Sequence, residues 1–150
     1  MLATPDDIAT TGCPAVVLDT NTVLDWLVFR DPVVGPLIAH LEDGRAHWPS
    51  CPAMRAELAR TLGYHKLQKW APDPEAALQA YDRLVTAVVA PPRSVPSMRC
   101  SDADDQVFID LALAHRARWL VSKDRAVLKL ARRARAWGLV IVPPKDWSPD

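Results

Sequence analysis

The sequence predicts an α/β domain: a three-layer α/β/α sandwich around a parallel sheet of about four or five strands. Three observations carry that expectation. Short apolar runs such as Val16-Val17-Leu18, Trp119-Leu120-Val121 and Val140-Ile141-Val142 have the length and continuity of strands buried on both faces. Amphipathic, helix-length segments alternate with them, which is the order of a parallel sheet covered by helices. The length of 150 residues suits one domain spanning 1–150 with a sizeable core, and is too short for two ordinary ones.

In chain order, residues 1–14 carry neither a basic start nor a continuous apolar run. No secretory leader is expected there, and the segment reads as a flexible N-terminal extension. Ala15 to Leu18 is the first strand, ending in Asp19, and Thr22 to Phe29 a helix. Pro32 suits the first turn of a second helix, to about Leu41. Asp43-Gly44 marks a turn before a short strand at Arg45 to Trp48. After Ser50-Cys51-Pro52 a helix is expected, because Met54, Leu58 and Leu62 repeat at four-residue spacing. Pro74 opens another helix to about Leu84, and Thr86 to Ala90 reads as a strand stopped by Pro91-Pro92. Asp102 to Arg116 follows as a helix with Val107, Phe108 and Leu111 on one side, and then the Trp119–Val121 strand. Ala126 to Ala136 closes the helices, with Val127, Leu130 and Ala134 inward, before the last strand at Val140–Val142.

Composition excludes several functions. Five glycines are too few and too scattered for a dinucleotide fingerprint or a P-loop, and no nucleophile-elbow motif is present. His47 and Cys51 have no partners that would complete a zinc set. Three dispersed cysteines, odd in number, fit a reducing cytoplasm better than a disulfide framework. No apolar stretch approaches the roughly 18 residues of a membrane span. Lys+Arg and Asp+Glu number 18 each, so attraction for a polyanion must come from local patches.

The acids carry the chemistry. Asp19 and Asp124 follow strands, at the sheet edge where α/β proteins collect function. Asp102, Asp104 and Asp105 open a helix, and Glu57 lies on the Met54–Leu58 helix. Taken singly, each has an ordinary account as a helix cap, a turn residue or a solvated helix face. Taken together, acids delivered to one edge repel, and need a cation or raised pKa values. Oxygen ligands of this kind suit Mg2+ or Mn2+ and the hydrolysis of a phosphodiester. Spacing alone does not bring Glu57 into the group.

Four segments then resemble the successive motifs of PIN domains: Val17-Leu18-Asp19-Thr20-Asn21, Ser50 through Glu57-Leu58, Cys100 through Ala112 with Asp102, Asp104 and Asp105, and Leu120-Val121-Ser122-Lys123-Asp124. The set resembles most the branch of toxins from toxin–antitoxin systems, from about Ala15 to Trp147. The resemblance implies a PIN-like sandwich and a metal-dependent ribonuclease of single-stranded RNA, held in check by an antitoxin protein in the cytoplasm, with homodimerisation as an option. It implies a catalytic set of Asp19, Glu57, Asp105 and Asp124, of which Asp19, Asp105 and Asp124 hold Mg2+ or Mn2+. Asn21 and Ser122 are then polar helpers, with Asp102 and Asp104 as alternative acids should the register differ. The position after Asp105, where the family frequently has an acid or an amide, is Gln106. The family also includes scaffolds that do not turn over, which is the alternative reading. A remote one, a haloacid-dehalogenase-like phosphatase, rests on Asp19 with Thr22, Leu24 and Asp25, in a loop that lacks the glycine such enzymes use.

Nine of the 18 Lys and Arg fall between Arg116 and Lys145. Lys123 and Arg125 flank Asp124 and are the expected RNA-binding cations, whereas Lys129 and Arg132 lie on a face that also reads as simply solvated.

Overall fold

A computed structural model describes residues 2–9, 12–93 and 95–150. The strands are β1 (Val16–Leu18), β2 (Pro49–Ser50), β3 (Thr86–Ala87), β4 (Trp119–Val121) and β5 (Val140–Val142). The helices are α1 (Pro5–Ala9), α2 (Thr20–Leu27), α3 (Gly35–Glu42), α4 (Pro52–Leu62), α5 (Pro74–Leu84), α6 (Gln106–Ala114), α7 (Arg125–Leu128) and α8 (Ala131–Ala134). All pairings between strands are parallel. One sheet has the order β1-β4-β5, and β2 pairs with β3 in a smaller one. A bridge from Ala15 to His47 connects the two. The expected strand at Arg45 to Trp48 is thus only that bridge, and pairing moves on to Pro49–Ser50.

Alternation along the strands builds both sides of the sandwich. Val17, Leu120 and Ile141 point into a core with Phe108, Ile109 and Leu111 of α6 and with Val127, Leu130 and Ala134. Val16, Leu18, Trp119 and Val121 point the opposite way, into a core with Leu24, Leu37, Trp48, Leu58 and Tyr81. Two apolar faces with helices on each make the three-layer α/β/α arrangement expected. Among the described residues no helix is long and apolar enough to cross a membrane.

Three local differences from the sequence reading have physical causes. The N-terminal stretch expected as a flexible extension is docked in its described part. Ala3 donates to the Ala87 carbonyl at 3.0 Å and accepts from Val89 N–H at 2.9 Å, while Ile8 of α1 is buried in the core. The expected helix from Asp102 begins instead as a 3₁₀ turn at Ala103–Asp105, because the Asp102 carboxylate accepts the Asp104 N–H at 3.0 Å. The expected helix over Ala126–Ala136 is broken into α7, α8 and a 3₁₀ turn at Arg135–Trp137. Leu130 N–H bonds the Val127 carbonyl, an i to i+3 contact that tightens the chain between α7 and α8. Gly138, at φ 72°, then takes the left-handed conformation that turns the chain into β5.

Candidate active site

The parallel register creates the site. Leu18 is paired with Val121 and Val121 with Val142, so the strands end side by side and the residues after them share one edge. Asp19 and Ser122 are therefore neighbours although 103 residues apart in sequence.

Asp19 is buried and caps α2. One carboxylate oxygen accepts the Thr22 N–H at 2.8 Å, and the other accepts the Ser122 hydroxyl at 2.5 Å. The Ser122 oxygen in turn accepts the Asp124 N–H at 3.0 Å. This relay, from the Asp124 amide through Ser122 to Asp19, holds the turn after β4 against the first strand. Burial pushes the Asp19 carboxyl above its ordinary range, opposed by the bonds from Ser122 and Thr22.

Asp102, Asp105 and Asp124 each present a carboxylate oxygen, and the three atoms all lie within 4.8 Å of one another. The 3₁₀ turn explains half of this convergence, because Asp102 caps the turn that Asp105 ends and accepts the Asp105 N–H at its carbonyl at 3.1 Å, which keeps the two residues together. Asp124 is brought in from β4, and its own carboxylate caps α7 by accepting the Ala126 N–H at 2.8 Å. Asp105 is pushed up to about 8, first by burial, then by its hydrogen bond to Asp124 and by the charges of Asp124, Asp102 and Asp19. One of its oxygens is buried without a hydrogen-bond partner. Even the Cys100 thiol is raised, by burial and then by the nearby acids.

Glu57 is half-buried on α4 and stands outside the trio. Burial raises its carboxyl, the Thr20 hydroxyl lowers it, and the charges of Asp104 and Asp19 raise it again. Asp104 is exposed on the 3₁₀ turn, and Asn21 is exposed in the first turn of α2. The structure thus gathers Asp105 and Asp124 with Asp102, which the sequence offered as an alternative acid, while Asp19 braces the site from behind. Gln106 pins the acidic turn. Its amide donates to the Met98 carbonyl at 3.1 Å and to Asp110 at 2.8 Å, and its oxygen accepts the Cys100 N–H at 2.5 Å.

Lys123 is partly exposed and forms an ion pair with the buried Asp25. Its ammonium donates to one carboxylate oxygen at 2.9 Å and lies 2.7 Å from the other, outside hydrogen-bond alignment there. Arg125 is exposed at the start of α7. Sequence reasoning overlooked the Asp25–Lys123 pair. Its one signal was an acid in the apolar register of α2, directly after Val23 and Leu24.

Three carboxyl groups that meet at one point, one of them with an orphaned buried oxygen and its proton affinity raised by its neighbours, fit a hard divalent cation, whose charge would keep all three ionised and acceptor-only. Comparison with known proteins agrees with the architecture. The chain has a TM-score of 0.58 to a chain of the crystal structure of VapBC2 from Rickettsia felis bound to a DNA fragment from their promoter. The identity is 12%, with 85% of this chain and 96% of that chain covered, so the likeness is one of fold. A search of curated proteins found no matching relative. A family model described as PIN domain matches residues 15–126, from the first strand through the Asp124 turn. The chain belongs to the PIN-domain family.

Proposed function

We propose that this protein is a Mg2+- or Mn2+-dependent ribonuclease of single-stranded RNA, the toxin of a toxin–antitoxin pair acting in the cytoplasm. The observation that carries the reading is the carboxylate trio Asp102, Asp105 and Asp124 at the carboxyl edge of a parallel sheet. A cation bound there would supply positive charge to a phosphodiester and acidify a water. Asp105 and Asp124 would hold the cation, with Asp102 on the exposed side, and Asp19 holds the Asp124 turn through Ser122. Asp19 can also reach the cation through water, the role its place behind the trio leaves open to it. Glu57, whose carboxyl burial raises, is the group we assign to take a proton from the attacking water. Gln106 keeps the acidic turn from opening, and Asn21 stands ready to orient substrate from the exposed end of α2. The partner follows from the family branch that the motifs resemble and from the fold shared with the VapBC2 chain. A small antitoxin protein, presenting a cation to the acids, would silence the nuclease.

The test is cleavage of a single-stranded RNA with Mn2+ or Mg2+, with and without EDTA, for wild type and Asp124→Asn. Cleavage that needs the ion and is lost in the variant supports the reading. Ion binding without any cleavage would support a scaffold instead. Expression in the native host with a purification tag tests the partner, which should arrive as a small protein bound in stoichiometric amount.

A further inference from the structure

Beside the acids, a groove of about 470 Å³ opens at the ends of β4 and β5. Three cations line it: Lys123 and Arg125, which bracket Asp124, and Lys145, which follows β5. Val33, Leu128 and the pair Pro143-Pro144 form an apolar wall between them. Resting on the ribonuclease reading, we propose that this groove holds one nucleotide of single-stranded RNA next to the bond that is cut. Its phosphate would lie on the three cations, and its base or ribose on the proline wall.

Four observations point to that occupant. The cations are not neutralised alike. Lys123 is anchored by Asp25, a residue only 3% exposed. An ammonium has three N–H donors, so a pair with one carboxylate leaves donors for a phosphate. Arg125 and Lys145 have no ion-pair partner among the described residues. The groove also contains Asp146, one acid against three cations, so its balance still favours an anion. An apolar lining beside such cations fits a nucleotide, which joins a phosphate to an uncharged face. The position completes the argument: an acidic trio repels the strand it must cut, and cations on either side of Asp124 draw the backbone past it. A fully charged acidic peptide would use the cations and leave the proline wall idle.

The experiment measures binding of a fluorescent single-stranded RNA with 2′-O-methyl riboses, which cannot be cleaved by attack of a 2′-hydroxyl, in EDTA over a salt titration. Wild type is compared with Arg125→Glu/Lys145→Glu and with Lys129→Glu/Arg132→Glu, an equal charge change outside the groove. Far-ultraviolet circular dichroism and thermal melting confirm that each variant is folded. The groove variant should bind about tenfold more weakly and lose roughly 0.7 from the log–log salt slope, the one phosphate contact that the groove makes in a single strand. The control pair should change affinity less than about twofold, as expected for cations that touch no phosphate. Equal losses in both variants, or none in the groove variant, overturn the proposal. So does unchanged RNA affinity with loss of binding to an oligoglutamate peptide, which would make the groove a protein-docking site. Binding needs no turnover, so the two readings fail separately. RNA bound through the groove by a protein that never cleaves overturns only the ribonuclease, and metal-dependent cleavage with a groove-independent affinity overturns only the groove.

Discussion

Replacing Asp105 by Asn should make the cation-free protein more stable at alkaline pH. Asp105 is carried from an ordinary 3.8 to about 8 by burial and by its neighbours Asp124, Asp102 and Asp19. At 1.36 kcal/mol per pH unit this is a ceiling of about 6 kcal/mol. The side chain is partly exposed, so solvent screening reduces the usable figure to about 2 kcal/mol. The sign follows from linkage. Because the folded value is raised, the protonated form is favoured in the fold. Its contribution is whole below about pH 4 and is lost as pH rises toward 8. An Asn removes the charge and still donates to Asp124. For a chain of this size about 2 kcal/mol is worth roughly 4–8 °C in Tm. Thermal unfolding in EDTA between pH 5 and 9 measures it. Wild type should lose stability across that range, and Asp105→Asn should be flatter and melt higher at pH 8.5. Saturating Mn2+ should raise the wild type at pH 8.5 and the variant much less. A wild-type Tm flat between pH 5 and 9, or a variant that melts lower at pH 8.5, would refute the reasoning.

Asp19→Ala should destabilise the fold by about 2 kcal/mol in urea unfolding, since it removes the α2 cap and leaves the buried Ser122 hydroxyl without its acceptor. Lys123→Ala should cost about 1–2 kcal/mol, because it leaves the buried Asp25 carboxylate unpaired, and adding Asp25→Asn should recover most of the loss in the same assay. Gln106→Ala should lower ribonuclease activity at least about tenfold while leaving the melting curve within a few degrees, as expected for a residue that positions ligands. His115 is held below its ordinary value by burial and then by His47, so its contribution to stability is present above about pH 6.5 and lost below it. His115→Gln should therefore enlarge the wild-type gain in Tm between pH 6.5 and 5, because the opposing loss from His115 is removed.

The layers, and the edge on which function sits, were legible in the order of apolar runs and acids along the chain. Val16–Leu18, Trp119–Val121 and Val140–Val142 are apolar runs of strand length; the first two are buried on both sides and must be covered on both sides, while Val140 leaves one side of the last strand exposed at the sheet edge. Asp19 and Asp124 lie at the carboxyl edge for the same reason, each being the acid that ends or follows an apolar run. The motif order was also enough to place the chain in its family. The tertiary structure decided which acids meet. Asp102 entered the trio as the cap of a 3₁₀ turn that period-counting reads as the start of an α-helix, and a one-residue difference in hydrogen bonding, i to i+3 against i to i+4, separates the two. The Ser122 link between Asp19 and Asp124, and the burial of Asp25 against Lys123, depend on residues about 100 positions apart. No local pattern records such contacts, because register is set by the whole packed sheet and not by the residues it brings together.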